Sequence, residues 1–280
     1  LTGFLFFISL FIISISCDST EPTDELKPGR RDYTWTVDTL DSPTNVIKRA
    51  WASAENDAWA VGPGGITSYD GLWHFDGNNW QPHTQALQIA PDCIYGFAQN
   101  DVWIGGNDGK IFHFNGSEWV QNFVYSKQAS NYVFIVELWG TGSNDLYAIA
   151  IVGDNGFKSA ILHYDGIKWK EIYYSEFPVQ FFSVQKEDGL LYLAGIILAE
   201  GQQEVAFYQF KNNMIKEIFR KSLSEITFGS LSLIGNRTYF LIGKDLCRYV
   251  NDKFVKIISF NIDPFGYRAY GRNEKDIFLS

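Results

Sequence analysis

One short pattern recurs six times along this chain. It is a bulky apolar residue followed by a small one: Trp51-Ala52, Tyr95-Gly96, Trp139-Gly140, Phe182-Ser183, Leu231-Ser232 and Tyr270-Gly271. The small members are separated by 44, 44, 43, 49 and 39 residues. Self-similarity at a period of about 40–50 residues marks a repeat architecture, in which each unit buries its apolar surface against its neighbours.

The first three copies show what one unit contains. Two apolar runs are separated by Asn56-Asp57, Asn100-Asp101 or Asn144-Asp145. Asn and Asp tolerate left-handed backbone and hydrogen-bond their own main chain, which suits a tight turn between strands. A second half follows, running from His74 through Asp76-Gly77 to Trp80, from His113 through Asn115-Gly116 to Trp119, and from His163 through Asp165-Gly166 to Trp169. Asp-Gly or Asn-Gly between aromatic, alternating residues is a hairpin signal. The unit is therefore four short strands, a to d, which is the blade of a β-propeller. Copies four and five are degenerate: 191–195 and 239–243 match strand b, and 208–213 and 248–254 match the c–d hairpin. The chain is expected to be all-β, with four-stranded antiparallel blades starting near residues 50, 94, 138, 181, 230 and 269, five complete and the sixth partial.

Tryptophans at repeat positions (Trp51, Trp59, Trp80, Trp103, Trp119, Trp139 and Trp169) are expected to fill the space between adjacent blades, each burying about 150–250 Å². The sixth copy, 270–280, runs through strands a and b without a c–d hairpin, and Trp35 stands in an isolated segment like strand d. The propeller domain is expected over 33–280, truncated at its C-terminus, in a ring of six or seven blades.

Residues 1–16 carry no charge and end at Ser14-Ile15-Ser16-Cys17. The run is short for a spanning helix of about 20 residues. An apolar core that stops at small residues and then Cys resembles a bacterial lipoprotein signal. That resemblance implies cleavage before Cys17, a lipid on Cys17, and anchorage at the outer membrane or cell surface. Residues 17–32 hold one aliphatic side chain and no aromatics, the composition of a disordered tether.

A net charge of −9 argues against nucleic acid as a partner, since an acidic surface repels phosphate. Cys93 and Cys247 fall in blades three apart, too far for a bond that needs Cα atoms within about 7 Å, and are expected to be buried free thiols. Three of the four histidines, His74, His113 and His163, share one repeat position. Equivalent positions fan outward around a ring, whereas zinc ligands converge to about 2.0–2.1 Å from one ion; they are expected to be structural. Asp57, Asp101, Asp145 and Asp276 are expected to form turns. No metal, cofactor or catalytic group is assigned.

Asn-Asp-Ala-Trp-Ala-Val-Gly62 followed by the His74–Trp80 segment, repeated, is similar to secreted bacterial propellers grouped with sialidase-type, BNR-like and photosystem-assembly-factor-like repeats. The similarity covers 33–280, strongly to Trp169. It implies a propeller fold and carries no activity, because the Ser-x-Asp-x-Gly-x-x-Trp box of true sialidases is missing from the chain.

Ligands of propellers usually meet the b–c and d–a loops, which lengthen without disturbing the blade. The longest are expected at 120–131, 151–159, 173–178 and 196–204. Tyr125, Lys127, Asp154, Asn155, Phe157 and Tyr173 are the candidate ligand-binding residues there. Two functions stand open. One is a non-catalytic, monomeric envelope scaffold that binds a glycan, a peptide or an envelope protein. The other is a sialidase-like or lyase-like enzyme using two carboxylates about 5–10 Å apart.

Overall fold

A computed structural model describes residues 34, 37–40, 46–62, 71–84, 87–128, 130, 132–153, 157–199, 201–261 and 268–279. Cys17, Trp35, Asp154 and Asn155 lie outside them. Val37–Leu40 are described and form no strand.

Four four-stranded antiparallel sheets and one six-stranded sheet follow one another in chain order, making five four-stranded blades and part of a sixth. Blade one is β1 (Arg49–Ala54), β2 (Asp57–Val61), β3 (Leu72–Phe75) and β4 (Trp80–Pro82). Blade two is β5 (Pro91–Ala98), β6 (Asp101–Gly106), β7 (Lys110–Phe114) and β8 (Trp119–Val124). Blade three is β9 (Val133–Gly142), β10 (Asp145–Gly153), β11 (Phe157–Tyr164) and β12 (Trp169–Tyr174). Blade four is β13 (Gln180–Glu187), β14 (Leu190–Ala199), β15 (Gln202–Lys211) and β16 (Met214–Ser222), followed by a single helical turn, α1 (Leu223–Ile226). Blade five is β17 (Gly229–Ile234), β18 (Arg237–Ile242), β19 (Asp245–Val250) and β20 (Lys253–Ser259). A partial sixth consists of β21 (Ala269–Asn273) and β22 (Asp276–Leu279). β21 pairs in parallel with β17, Leu233 opposite Tyr270 and Ile234 opposite Gly271, so blades five and six share one sheet. This is a β-propeller, and the sequence period fixes its blade order.

The bulky–small pattern has a physical cause. The bulky member of one inner strand reaches sideways to the small member of the next. The Trp51 ring lies against Gly96, where a Cβ would come within 2.7 Å of it. The Tyr95 hydroxyl donates to the Gly140 carbonyl at 2.9 Å. Farther out, a second-strand aromatic meets the fourth-strand tryptophan of the following blade. Trp59 and Trp119 cross edge to face at 5.3 Å, and Trp103 and Trp169 at 6.0 Å, the arrangement that ring quadrupoles favour. Trp103 and Trp119 are each 2% exposed. Trp139 is buried beside Phe181 and Val184 of blade four, while Trp80 packs on Phe75 of its own blade at 5.4 Å.

Two expected loops are strands instead. Residues 151–159 and 196–204 mostly extend β10–β11 and β14–β15, with pairs such as Val152 opposite Lys158 and Ile197 opposite Glu204. Ile151-Val152 and Ile196-Ile197-Leu198 are β-branched and aliphatic, and continue the pleat.

Candidate functional site

The inner strands β1, β5, β9, β13, β17 and β21 surround a central channel. A cavity of about 400 Å³ runs along it, lined by residues that include Arg49, Cys93, Glu137, Gln185, Leu233 and Arg268. A second, of about 660 Å³, opens where the inner strands begin and is lined by Lys48, Arg49, Ala50, Phe182, Phe228, Ser230, Arg268 and Tyr270. Strand beginnings are where the d–a connections arrive, so this mouth is on the face where a ligand was expected.

Glu137 is the electrostatic centre. It sits in the middle of β9 and is 4% exposed. Arg268, just before β21, donates to it through two nitrogens, Nη1 to Oε1 at 2.9 Å and Nη2 to Oε2 at 3.0 Å, and also to the Phe182 carbonyl at 3.1 Å. Paired parallel hydrogen bonds of this kind are the strong form of a carboxylate–guanidinium contact. Arg49 approaches the same carboxylate at 3.8 Å from blade one and donates to the Lys48 carbonyl at 3.1 Å. Lys48 is paired with Asp92. Two guanidinium groups against one carboxylate leave positive charge at the axis of a chain whose net charge is −9. Beside it stand Phe182, Phe228 and Tyr270; Tyr270 is 47% exposed. Positive charge and aromatic groups thus stand side by side at the mouth.

The chemistry of acid–base cleavage is different. Glu137 is the one carboxylate among the described residues lining these two cavities, and a glycosidase pair needs two. Burial pushes the Cys93 thiol well up, so the thiolate, which is the nucleophile, is disfavoured. Cys93 and Cys247 are both free and buried.

The loop candidates lie elsewhere. Tyr125 and Lys127 both clasp Glu171 of blade three: the Tyr125 hydroxyl donates to it, and Lys127 Nζ reaches its oxygens at 2.8 and 2.9 Å. Lys127 also sits 4.0 Å over the Tyr174 ring. Tyr173 packs on Phe210 at 5.5 Å, and Phe157, 39% exposed, stands beside Tyr132. None of these four lines either cavity. The arginines of the channel were not among the candidates.

The repeated histidines and aspartates pair with each other. His74 meets Asp57 at 2.7 Å, His113 meets Asp101 at 2.8 Å and His163 meets Asp145 at 2.9 Å. Each histidine also lies on a second-strand ring, His113 stacking on Trp103 at 4.0 Å. The three remain in separate blades. Each aspartate opens its second strand and is tied across the blade, rather than serving the turn alone. Some ties pass between blades: Lys186 of blade four donates to Asp145 at 2.8 Å. Burial opposes the Asp145 charge, but hydrogen bonds from Lys186, Thr141, Tyr147 and His163 outweigh it and hold the carboxyl down at about 2. Between blades four and five the stitch is an ion pair, Arg248 to Glu187 at 2.8 and 3.0 Å.

No family profile matches the chain, and no curated protein does. Solved structures do. One is described as YCF48 bound to D1 peptide: TM-score 0.58, 14% identity, 91% of this chain and 82% of that one covered. Another is the calcium-binding protein regucalcin from Agrobacterium tumefaciens strain C58: TM-score 0.54, 10% identity, 80% of this chain and 77% of that one covered. At such identities the likeness concerns the fold, and the fold shared is the β-propeller.

Proposed function

We propose that this protein is a non-catalytic binding propeller of the bacterial cell envelope, held by lipid on Cys17, that captures an acidic segment of a partner protein at the mouth of its channel. The observation that carries the reading is the Arg49–Glu137–Arg268 cluster. Arg49 keeps a partly exposed guanidinium, with a side chain 41% exposed, at the mouth of a cavity of about 660 Å³ flanked by Phe182 and Tyr270. A carboxylate entering there meets positive charge near the low-dielectric interior, where a charge-assisted hydrogen bond is worth more than in water. The peptide-bound neighbour supports a polypeptide ligand. The uncharged run before Cys17 and the polar stretch after it support the tether.

The test is a titration of the purified domain with an acidic hexapeptide containing one aromatic residue, against the same peptide with its carboxylates converted to amides. The acidic form binds at least tenfold more tightly. The preference disappears in Arg49→Ala and weakens at high salt, because the Debye length falls to about 3 Å at 1 M. Equal affinity for the two peptides would refute the ligand class. For the anchor, Cys17→Ala releases the protein from the membrane fraction; retention there refutes lipid attachment at Cys17.

A further inference from the structure

The channel has two compartments, and they meet at the ion cluster. Arg49, Ala50, Arg268 and Tyr270 line both the cavity of about 660 Å³ at the mouth and the one of about 400 Å³ deeper in. The inner compartment is walled mainly by apolar and aromatic side chains, among them Trp51, Ile94, Tyr95, Leu138, Trp139 and Leu233. Polar side chains on the same wall are matched within the fold. The Cys93 thiol points at the Gly105 and Ile135 carbonyls, at 3.6 and 3.5 Å. Both Glu137 oxygens accept from Arg268. Ser232 Oγ accepts from the Ala269 amide at 3.0 Å. The Gln185 side chain donates to the Ser232 carbonyl at 3.0 Å and accepts from the Leu233 amide at 3.2 Å.

Arg49 is the contrast. Its side chain is 41% exposed. Among the described residues its guanidinium makes one hydrogen bond, from Nη1 to the Lys48 carbonyl at 3.1 Å. Nη2 stands 3.8 Å from Glu137 Oε2, beyond the range of a hydrogen bond. A guanidinium carries five N–H donors, so the junction has donors to spare next to a compartment whose wall is apolar. Pockets for organic ligands have this make-up: about 300–1,000 Å³, mostly apolar and aromatic lining, and a few polar groups that fix orientation. An apolar cavity of about 150 Å³ is enough for benzene, so the inner compartment has room for an aromatic ring.

We infer that the inner compartment is an anchor pocket for one aromatic side chain of the bound segment, set two residues from a carboxylate that bonds to Arg49. This pocket, which rests on the acidic-segment reading, adds a requirement to it: charge alone does not select the partner. Side chains two apart in an extended segment share a face, so ring and carboxylate enter the mouth together. A polar side chain in place of the ring would be buried against groups already matched to one another, and would leave its own polar end without a partner. The ring supplies affinity by burial, and the guanidinium fixes which residue of the segment enters.

The test titrates the full chain with the end-capped peptide Ser-Glu-Ser-Phe-Ser-Glu, with the same peptide carrying alanine for phenylalanine, and with the phenylalanine peptide whose carboxylates are converted to amides. At equal charge the phenylalanine peptide is expected to bind about tenfold or more tightly than the alanine peptide, in line with burial of one ring. Leu233 lines the inner compartment and not the mouth, so Leu233→Trp fills the pocket and removes that preference. Para-nitrophenylalanine at the ring position quenches tryptophan emission on binding, because Trp51 and Trp139 line the pocket; absence of quenching overturns the inference. Equal binding of the phenylalanine and alanine peptides, both tighter than the amidated one, overturns the pocket and leaves the acidic-segment reading standing. Equal binding of the acidic and amidated peptides overturns the two together. A ring preference that survives in a folded Leu233→Trp protein also overturns the pocket, and the peptide comparison itself needs no altered protein.

Discussion

Arg268 and Glu137 are 131 residues apart in the chain and form a two-pronged contact across the channel. Consider Arg268→Met. The change keeps a long apolar stem and removes the guanidinium, leaving a carboxylate 4% exposed with Arg49 at 3.8 Å as its remaining cation. Removing one partner of a buried pair costs about 3–5 kcal/mol. The variant is therefore expected to lose about 3 kcal/mol. At roughly 2–4 °C per kcal/mol for a domain of this size, the midpoint falls by on the order of 10 °C. Calorimetric melts of wild type and variant at pH 7 measure this directly. The double variant Glu137→Leu with Arg268→Met should recover most of the loss, because a well-packed apolar pair replaces a buried ion pair without leaving a lone charge. A melt unchanged by Arg268→Met, or a double variant no more stable than the single one, would refute the claim that the buried Glu137 is held by that arginine.

Further outcomes follow from other contacts. Asp145 titrates near 2 in the fold against an ordinary 3.8, so its contribution is fully present above pH 4 and is lost as pH falls toward 2; acid unfolding of Asp145→Asn should be flatter there by on the order of 2 kcal/mol. Gly96→Ala places a methyl within 2.7 Å of the Trp51 ring and should cost about 1–3 kcal/mol, with partial recovery in Trp51→Phe; a neutral melt contradicts the bulky-over-small packing. Burial pushes Cys93 well up and Cys247 up to about 11, so neither thiol should react with iodoacetamide at pH 8 until the protein unfolds, a difference that mass spectrometry with and without denaturant reads.

The blade order, the turns and the aromatic wedges are all legible in the chain, because period and alternation are local properties. The charged channel is less so. In four copies the residue three places before the small member, Arg49, Cys93, Glu137 and Arg268, lines the channel. Aligning the copies exposes that column of charge. Its meaning needs the ring to close, since the pairing runs from blade three to blade six. Attention to variable loops led instead to Tyr125 and Lys127, whose polar groups are engaged by Glu171. The histidines and aspartates were each legible as structural, but not as one unit, because 12 to 18 residues separate the partners and the contact exists only once the second and third strands pair.

The parallel seam between β17 and β21 sets this ring apart mechanically. Most joints between blades rest on side chains, which can slide or re-pack. That one is riveted by main-chain hydrogen bonds, so blades five and six tilt as a single plate. Any widening or narrowing of the bore must be absorbed by the remaining joints, and the aperture around Arg49 becomes a property of the whole circumference.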